Sequence, residues 1–169
     1  MKTLLLAVVS LLFWVPTSSQ NREDAKNARN ERIQDAYEAA KDLVETRQFT
    51  FRSNWMNTQG GKRIQLDAGS GYLTLNEDQA NAYFPYFGTV RVATMYEGGG
   101  IEFDTQIEDF EIKYNDERKI INITFMVAAK KERYEVLIQL YKGLKGSVTV
   151  FSNKRDQISY DGYFKAIEH

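Results

Sequence analysis

Hydrophobic residues change their spacing once along this chain. Between residues 33 and 46 they recur at steps of three and four, which places them on one face of an α-helix. From Gln48 onward they alternate with polar residues, as at Phe49 and Phe51, and this two-residue period is typical of β-strands. The sequence therefore predicts one amphipathic helix followed by strands. The residues on the apolar face of the helix are Ile33, Ala36, Tyr37, Ala40, Leu43 and Val44.

Short turns separate the predicted strands. Two of them, residues 59–62 (QGGK) and 67–71 (DAGSG), are rich in glycine, which accepts the positive φ of tight turns. Strands joined in this way pair in antiparallel fashion, and no connection after Thr46 is long enough to hold a crossover helix. The strands are expected near residues 49–55, 64–66, 73–75, 110–114, 121–129, 134–141, 147–151 and 158–164, with another that starts at Ile101.

These elements define the expected fold. A helix is about 10 Å across and strands lie about 4.8 Å apart, so this helix covers only part of the sheet. The remaining apolar face of the sheet must therefore be covered by other strands of the same sheet. We expect an α+β, mostly β fold in which the N-terminal amphipathic helix packs on an antiparallel sheet of about 8–9 strands. This sheet curls into a partly open barrel or forms a two-layer sandwich.

The chain begins with a stretch that has the features of a secretory signal peptide. Lys2 precedes an apolar core from Leu4 to Val15, and small polar residues follow it. The apolar core is shorter than the about 20 residues that span a membrane, and the small residues favour cleavage near Ser19/Gln20. We therefore expect residues 1–19 to be a signal peptide.

Composition limits where the mature chain resides and what it binds. The sequence has no cysteine, which excludes a lipoprotein anchor and disulfides. No second hydrophobic segment follows, so we expect a soluble, periplasmic or secreted protein without a transmembrane segment. The formal net charge is −1 and no basic stripe is present, which argues against nucleic-acid binding. Residues 20–32 are a charged lead-in, helical or frayed, and residues 33–169 are expected to form a single globular domain.

Few catalytic residue types are present. The only histidine is His169, and chain termini are usually mobile. Without cysteine or an internal histidine, thiol nucleophiles, Ser-His triads and His-rich metal sites are excluded. We therefore expect a protein that is not an enzyme, with no catalytic residue, no metal and no cofactor.

The carboxylates of residues 104–111 (DTQIEDFE) leave one catalytic alternative open. A pair of them could act as general acid and base on a glycan, or bind Ca²⁺ together with backbone oxygens. Their spacing favours a solvated strand face, because Asp109 and Glu111 alternate with apolar residues. The four candidates are Asp104, Glu108, Asp109 and Glu111.

The stretch YFPYFGTVRVATMYEGGGIEF, residues 83–103, is unusually aromatic and is the best candidate for a binding surface. Pro85 lacks the N–H that a sheet ladder needs, which indicates a sheet edge or a segment that crosses between strands. In one interpretation Phe84 and Phe87 close the end of the sheet while the tyrosine hydroxyls reach water. In the other, three tyrosines form an exposed patch that binds an apolar or carbohydrate ligand or a partner protein. These candidate ligand-binding residues are Tyr83, Tyr86 and Tyr96.

Five short segments indicate a family. They are Val44-Glu45-Thr46, QFTF (Gln48 to Phe51), FPYFG (Phe84 to Gly88), GGIEF (Gly99 to Phe103) and SNKRDQISYDG (Ser152 to Gly162). In this order, and from Ala40 to Phe164, they resemble the bacterial domain-of-unknown-function 4251 family. Phe84 departs from the family pattern, which has an aliphatic residue before the proline. The resemblance implies an exported single domain that begins with a signal sequence and a charged helix, and it supplies no activity, cofactor or catalytic residue.

Together these observations favour a non-enzymatic exported domain that binds a ligand or a partner in the cell envelope. The partner is expected to be an envelope protein, a lipid or a glycan. Two alternatives stay open: a carboxylate-dependent enzyme that acts on glycans, and a structural or assembly protein of the envelope that docks through its charged helix.

Overall fold

The computed structural model describes residues 18–90, 99–129 and 132–167. Most of the expected signal peptide, residues 1–17, and His169 lie outside these ranges. Within them the chain forms one helix, α1 (Ser18–Glu45), and ten strands. The strands are β1 (Gln48–Thr58), β2 (Arg63–Gln65), β3 (Tyr72–Asn76), β4 (Gln79–Phe84), β5 (Ile101–Gln106), β6 (Glu108–Asn115), β7 (Ile120–Ala129), β8 (Glu132–Lys142), β9 (Lys145–Ser152) and β10 (Ile158–Ala166).

All ten strands belong to one antiparallel sheet. The strand order is β5-β4-β3-β1-β10-β9-β8-β7-β6, and β2 pairs with β1 beside this path. The sheet curls until β5 contacts β7, and the Phe103 ring of β5 lies 6.0 Å from the Tyr134 ring of β8. The result is a nearly closed barrel. The predicted mostly β fold with a curled antiparallel sheet is confirmed, whereas strand β4 was not among the strands that the sequence indicated.

The barrel interior is filled by every second residue of the strands. In β7, for example, Ile121, Ile123, Phe125 and Val127 are buried while their neighbours are more exposed. Three phenylalanines of β1 and β10 pack against one another at centroid distances of 4.8 and 5.9 Å. Full burial of a side chain of this size contributes about 1.5–3 kcal/mol. These three are Phe49, Phe51 and Phe164.

Helix α1 covers one end of the barrel with its C-terminal part. Tyr37, Ala40 and Val44 are buried there, as the periodicity predicts. Ile33 belongs to the same apolar face but is 44% exposed, because this part of the helix has no surface to pack against. The charged residues of the lead-in continue the same helix, and from residue 22 to residue 36 every side chain is exposed. The helix therefore extends past the barrel, and only its last turns have a surface to pack against.

The helix is tied to the β6–β7 turn through Asp116. The Tyr37 hydroxyl donates to Oδ1 of Asp116 at 3.1 Å, and Nζ of Lys41 lies 2.8 Å from the same oxygen. The hydrogen bond from Lys41, and then that from Tyr37, lowers the pKa of the Asp116 carboxyl. Because the pKa of this carboxyl is lowered on folding, the folded protein is more stable when Asp116 is ionised than when it is protonated.

We expect this contact to weaken in acid. Folding lowers the pKa of Asp116. Its contribution to the free energy of unfolding is therefore present above the ordinary aspartate pKa of about 4, and it is lost as the pH falls through the lower pKa of the folded state. Asp116→Asn should therefore melt at a lower temperature than the wild type at pH 7, and the two should converge at low pH. Thermal melts from pH 7 to pH 2 measure this, with Asp24→Asn on the exposed part of α1 as control. A gap that does not change with pH would contradict the assignment.

Two glycines allow close packing where β9 meets β10. Gly146 and Gly162 lie opposite each other in the ladder, and their positions face the rings of Phe164 and Phe51. A Cβ at Gly146 would collide with the backbone carbonyl of Gln139 on β8 and lie 2.9 Å from the Phe164 ring. The space at Gly146 is thus too small for any side chain.

Gly146→Ala should therefore destabilise the protein by about 1–3 kcal/mol, as other overpacked cores are destabilised. Gly60→Ala is the matched control, because a Cβ there has Thr58 Oγ1 at 4.0 Å as its nearest neighbour. The control should change the free energy of unfolding by less than about 0.5 kcal/mol. Urea denaturation of both variants gives the comparison, and equal midpoints would show that the sheet relaxes around the added methyl group.

Candidate functional site

The aromatic segment begins inside the sheet and then leaves it. Strand β4 is paired with β3 on one side and β5 on the other, so the prediction of a sheet edge is wrong. Pro85 follows the last residue of that strand, where no ladder hydrogen bond is lost. Beyond it, the N–H of Asp156 donates to the carbonyl of Thr89 at 3.1 Å, and Val90 forms a bridge with Arg155. The segment therefore crosses to the β9–β10 turn, and the crossing interpretation is confirmed.

Phe84 closes the end of the barrel that lies opposite the helix. Its ring is fully buried and stacks on Tyr160 at a centroid distance of 4.3 Å. The Tyr160 hydroxyl donates to the Pro85 carbonyl at 2.8 Å, and burial raises the pKa of this tyrosine well above its usual range. Phe87 does not share this role, because it is 64% exposed. The prediction of an aromatic plug is thus right for Phe84 and wrong for Phe87.

Tyr86 holds the crossing segment in place. Its hydroxyl lies 2.8 Å from the carbonyl of Thr89 and 3.1 Å from that of Asp156, and can donate to either. Its ring faces the Arg155 guanidinium at 5.2 Å, a distance typical of a cation–π contact. Burial, and then the charge of Asp156, raises the pKa of this tyrosine. The hydroxyl is thus used within the fold, while a part for the Tyr86 ring in binding stays a prediction.

A buried ion pair lies beside this tyrosine. Arg155 is 8% exposed, and its Nε lies 3.1 Å from each carboxylate oxygen of Glu132. A terminal nitrogen of Arg155 donates to the Gly99 carbonyl at 3.2 Å, and the Ser152 hydroxyl donates to Glu132. The pair therefore joins the start of β8, the end of β9 and the segment that enters β5. Nothing in the sequence pattern distinguished Arg155 from the other charged residues of its turn.

Tyr83 lies on the outer face of β4 and is 41% exposed. Its partner across the ladder is Tyr72 of β3, whose next partner is Arg52 of β1. On the other side of β1, Arg52 lies opposite Tyr163 of β10, which is 43% exposed. We call these four residues, on four adjacent strands, the tyrosine row: Tyr83, Tyr72, Arg52 and Tyr163.

The tyrosine row has a cation between two ring faces. The Arg52 guanidinium lies 5.3 Å from the centre of the Tyr72 ring. Because neighbouring strands are about 4.8 Å apart, Tyr72 and Tyr163 stand about 10 Å from each other. Lys145 is opposite Tyr163 on β9, and within the described residues neither Arg52 nor Lys145 forms an ion pair. These groups offer flat apolar faces together with donors for an anionic oxygen.

Of the four residues in the tyrosine row, only Tyr83 was a candidate in the sequence. Tyr83 was predicted from local aromatic density, while Tyr72 and Tyr163 are single aromatic residues in ordinary strands. They join Tyr83 only through the register of strands that are distant in sequence. Tyr96, the third predicted residue, lies outside the described residues.

The four candidate carboxylates are all exposed. Asp104 accepts a hydrogen bond from the Gln79 amide at 2.7 Å, and Lys113 lies 2.8 Å from Glu111. Glu108 pairs with Arg133. Asp109 occupies a bulge of β6 with a left-handed φ of 53°. In the described parts of the chain, no three His, Cys, Asp or Glu side chains are grouped closely enough to hold a metal ion.

The fold and its surface define a small antiparallel barrel, with one helix over one end and an aromatic row on its outer face. The family model named Domain of unknown function (DUF4251) matches residues 31–164, so the chain belongs to this family, as the resemblance indicated. A crystal structure of a DUF4251 family protein from Bacteroides eggerthii is similar, with a TM-score of 0.61 and 17% identity. The alignment covers 78% of this chain and 87% of that one.

A search among curated proteins found no match. No helix in the described residues is long and apolar enough to span a lipid bilayer.

Substitutions in the Arg155–Glu132 ion pair test whether this pair stabilises the end of the barrel that lies opposite the helix. Arg155→Met should destabilise the protein by about 3–5 kcal/mol, because the buried Glu132 carboxylate would lose its cation and keep the Ser152 hydroxyl as a partner. The double variant Arg155→Met/Glu132→Leu should recover at least about 1 kcal/mol of that loss, since it removes the orphaned charge as well. Urea denaturation of the wild type, both single variants and the double variant gives the coupling. Strictly additive losses would exclude a direct interaction.

Proposed function

We propose that the protein is an exported, non-enzymatic binding domain of the cell envelope, and that the tyrosine row is its binding surface. The observation that supports this most directly is the alignment of Tyr83 and Tyr163 on the outer face. Both residues remain more than two-fifths exposed although the barrel interior holds many other aromatic residues. The form of residues 1–19, typical of a signal peptide, supports export.

The position of the tyrosine row suits recognition. Its four side chains stand on β4, β3, β1 and β10, and each of these strands is hydrogen-bonded on both sides. Side chains on such strands are held more precisely than side chains on loops, so less conformational entropy is lost when a ligand binds. Tyrosine and arginine are also among the residue types that contribute most at binding surfaces.

The carboxylate-dependent enzyme, our first alternative, receives less support. That mechanism needs two carboxyl groups that face each other across a bound substrate. Of the four candidates, Glu108 and Glu111 pair with cations, Asp104 accepts a hydrogen bond from Gln79, and all four are exposed. These positions are typical of a solvated strand surface.

The assembly role, our second alternative, has one observation in its favour. The exposed part of α1, residues 22–36, extends past the barrel and includes Ile33 on its surface. A partner could cover this part of the helix. Deletion of residues 21–32 separates the two ideas, because it should abolish complexes formed through the helix and leave those formed through the tyrosine row intact.

A binding experiment tests the proposal. We expect the double variant Tyr83→Ser/Tyr163→Ser to bind its own isolated cell envelope at least about tenfold more weakly than the wild type, because tenfold corresponds to about 1.4 kcal/mol and one tyrosine anchor can supply that. Tyr114→Ser is the matched control, since Tyr114 is 40% exposed but lies on β6, away from the tyrosine row.

The readouts are the fraction of protein retained by the envelope and the melting temperature. Equal retention of the double variant and the wild type would overturn the assignment of the row. Detection of the intact precursor in the cytoplasm, in place of a shortened protein outside it, would overturn export.

A further inference from the structure

We infer that the tyrosine row binds an extended polysaccharide that bears carboxylate groups, an inference that rests on the proposed binding function. The first observation is the alternation of ring, cation and ring across β3, β1 and β10. Tyr72 and Tyr163 stand about 10 Å apart with Arg52 between them, which suits a linear glycan that presents two sugar faces and an acid group in one repeat.

The charges around Tyr163 are the second observation. Arg52 lies opposite this tyrosine on one side and Lys145 on the other. The chain as a whole has a formal net charge of −1, so this local excess of cations is not a consequence of a basic composition. Charge complementarity therefore favours an anionic ligand.

The nearest carboxylate on β10 does not cancel this excess. Asp161 accepts a hydrogen bond from the Asn57 amide at 3.1 Å and lies 3.3 Å from a terminal nitrogen of Arg63. The charge of Asp161 is therefore compensated by these partners on β1 and β2. Glu102 lies at the far end of the row, beyond Tyr83.

The backbone around the row argues for side-chain recognition. A peptide that adds a strand to a sheet needs an unpaired edge, and the four strands of the row have none. A glycan needs no such edge, because its ring faces stack on aromatic side chains and its acid groups accept hydrogen bonds from arginine and lysine. The row also lacks the exposed aliphatic side chains that insert into a lipid surface.

The test uses polygalacturonate, a linear chain of carboxylated sugars, and its methyl ester, which has the same backbone without the charge. In affinity electrophoresis the full chain should be retarded by polygalacturonate, and at least about tenfold less by the ester. Arg52→Gln and Tyr163→Ser should each weaken the retardation by about tenfold, with Tyr114→Ser unchanged. Far-ultraviolet circular dichroism confirms that each variant is folded.

Other polyanions distinguish this inference from simple charge attraction. Equal retardation by polyglutamate, stronger binding to phosphatidylglycerol vesicles, or no effect of Arg52→Gln would overturn it. If the Tyr83→Ser/Tyr163→Ser variant loses envelope binding while polygalacturonate is not bound at all, the ligand class is wrong and the proposed binding function survives. If that variant still binds the envelope like the wild type, the binding surface itself is wrong.

Discussion

The pairing of β1 with β10 is the interaction on which the rest of the structure depends. It runs from the pair Phe49 and Ala166 to the pair Thr58 and Ile158, and it joins two groups of strands that would otherwise be separate sheets. One group runs from β1 through β3 and β4 to β5, with β2 beside β1, and the other runs from β10 through β9, β8 and β7 to β6. Isolated sheets of this size would expose the apolar faces that the barrel buries. The packed rings of Phe51 and Phe164 lie directly behind this seam.

The two ends of the barrel are closed by different means. At one end, a short apolar face of α1 packs against β1, β7 and β8. The Asp116 carboxylate, which contacts Tyr37 and Lys41, fixes the orientation of the helix. At the other end, a crossing segment is held by a stacked pair of rings, a tyrosine hydroxyl and the buried Arg155–Glu132 pair. The second closure is more polar, and the desolvation of a buried ion pair offsets much of its attraction, so the pair by itself adds little net stability.

Local patterns predicted the helix and most strands because side-chain period is a local property. Strand β4 was missed because its inward positions are Ala80 and Ala82, which contribute little hydrophobic signal beside Asn81. Periodicity placed Ile33 on the apolar face of the helix but could not show that the surface beneath this face ends before it. The tyrosine row could not be predicted, since Arg52 and Tyr163 become neighbours only through pairing between strands that are distant in sequence.

The position of β10 as the final strand along the chain has a consequence for the order of folding. Contacts between residues so distant in sequence form late, because the loop that joins their strands must first be closed. The barrel cannot complete itself until residues 158–166 are available to pair with β1. Until then β1 has β2 and β3 as neighbours along one edge and no strand along the other. A chain without residues 158–166 would leave β1 without this partner, and the barrel would stay open along that seam.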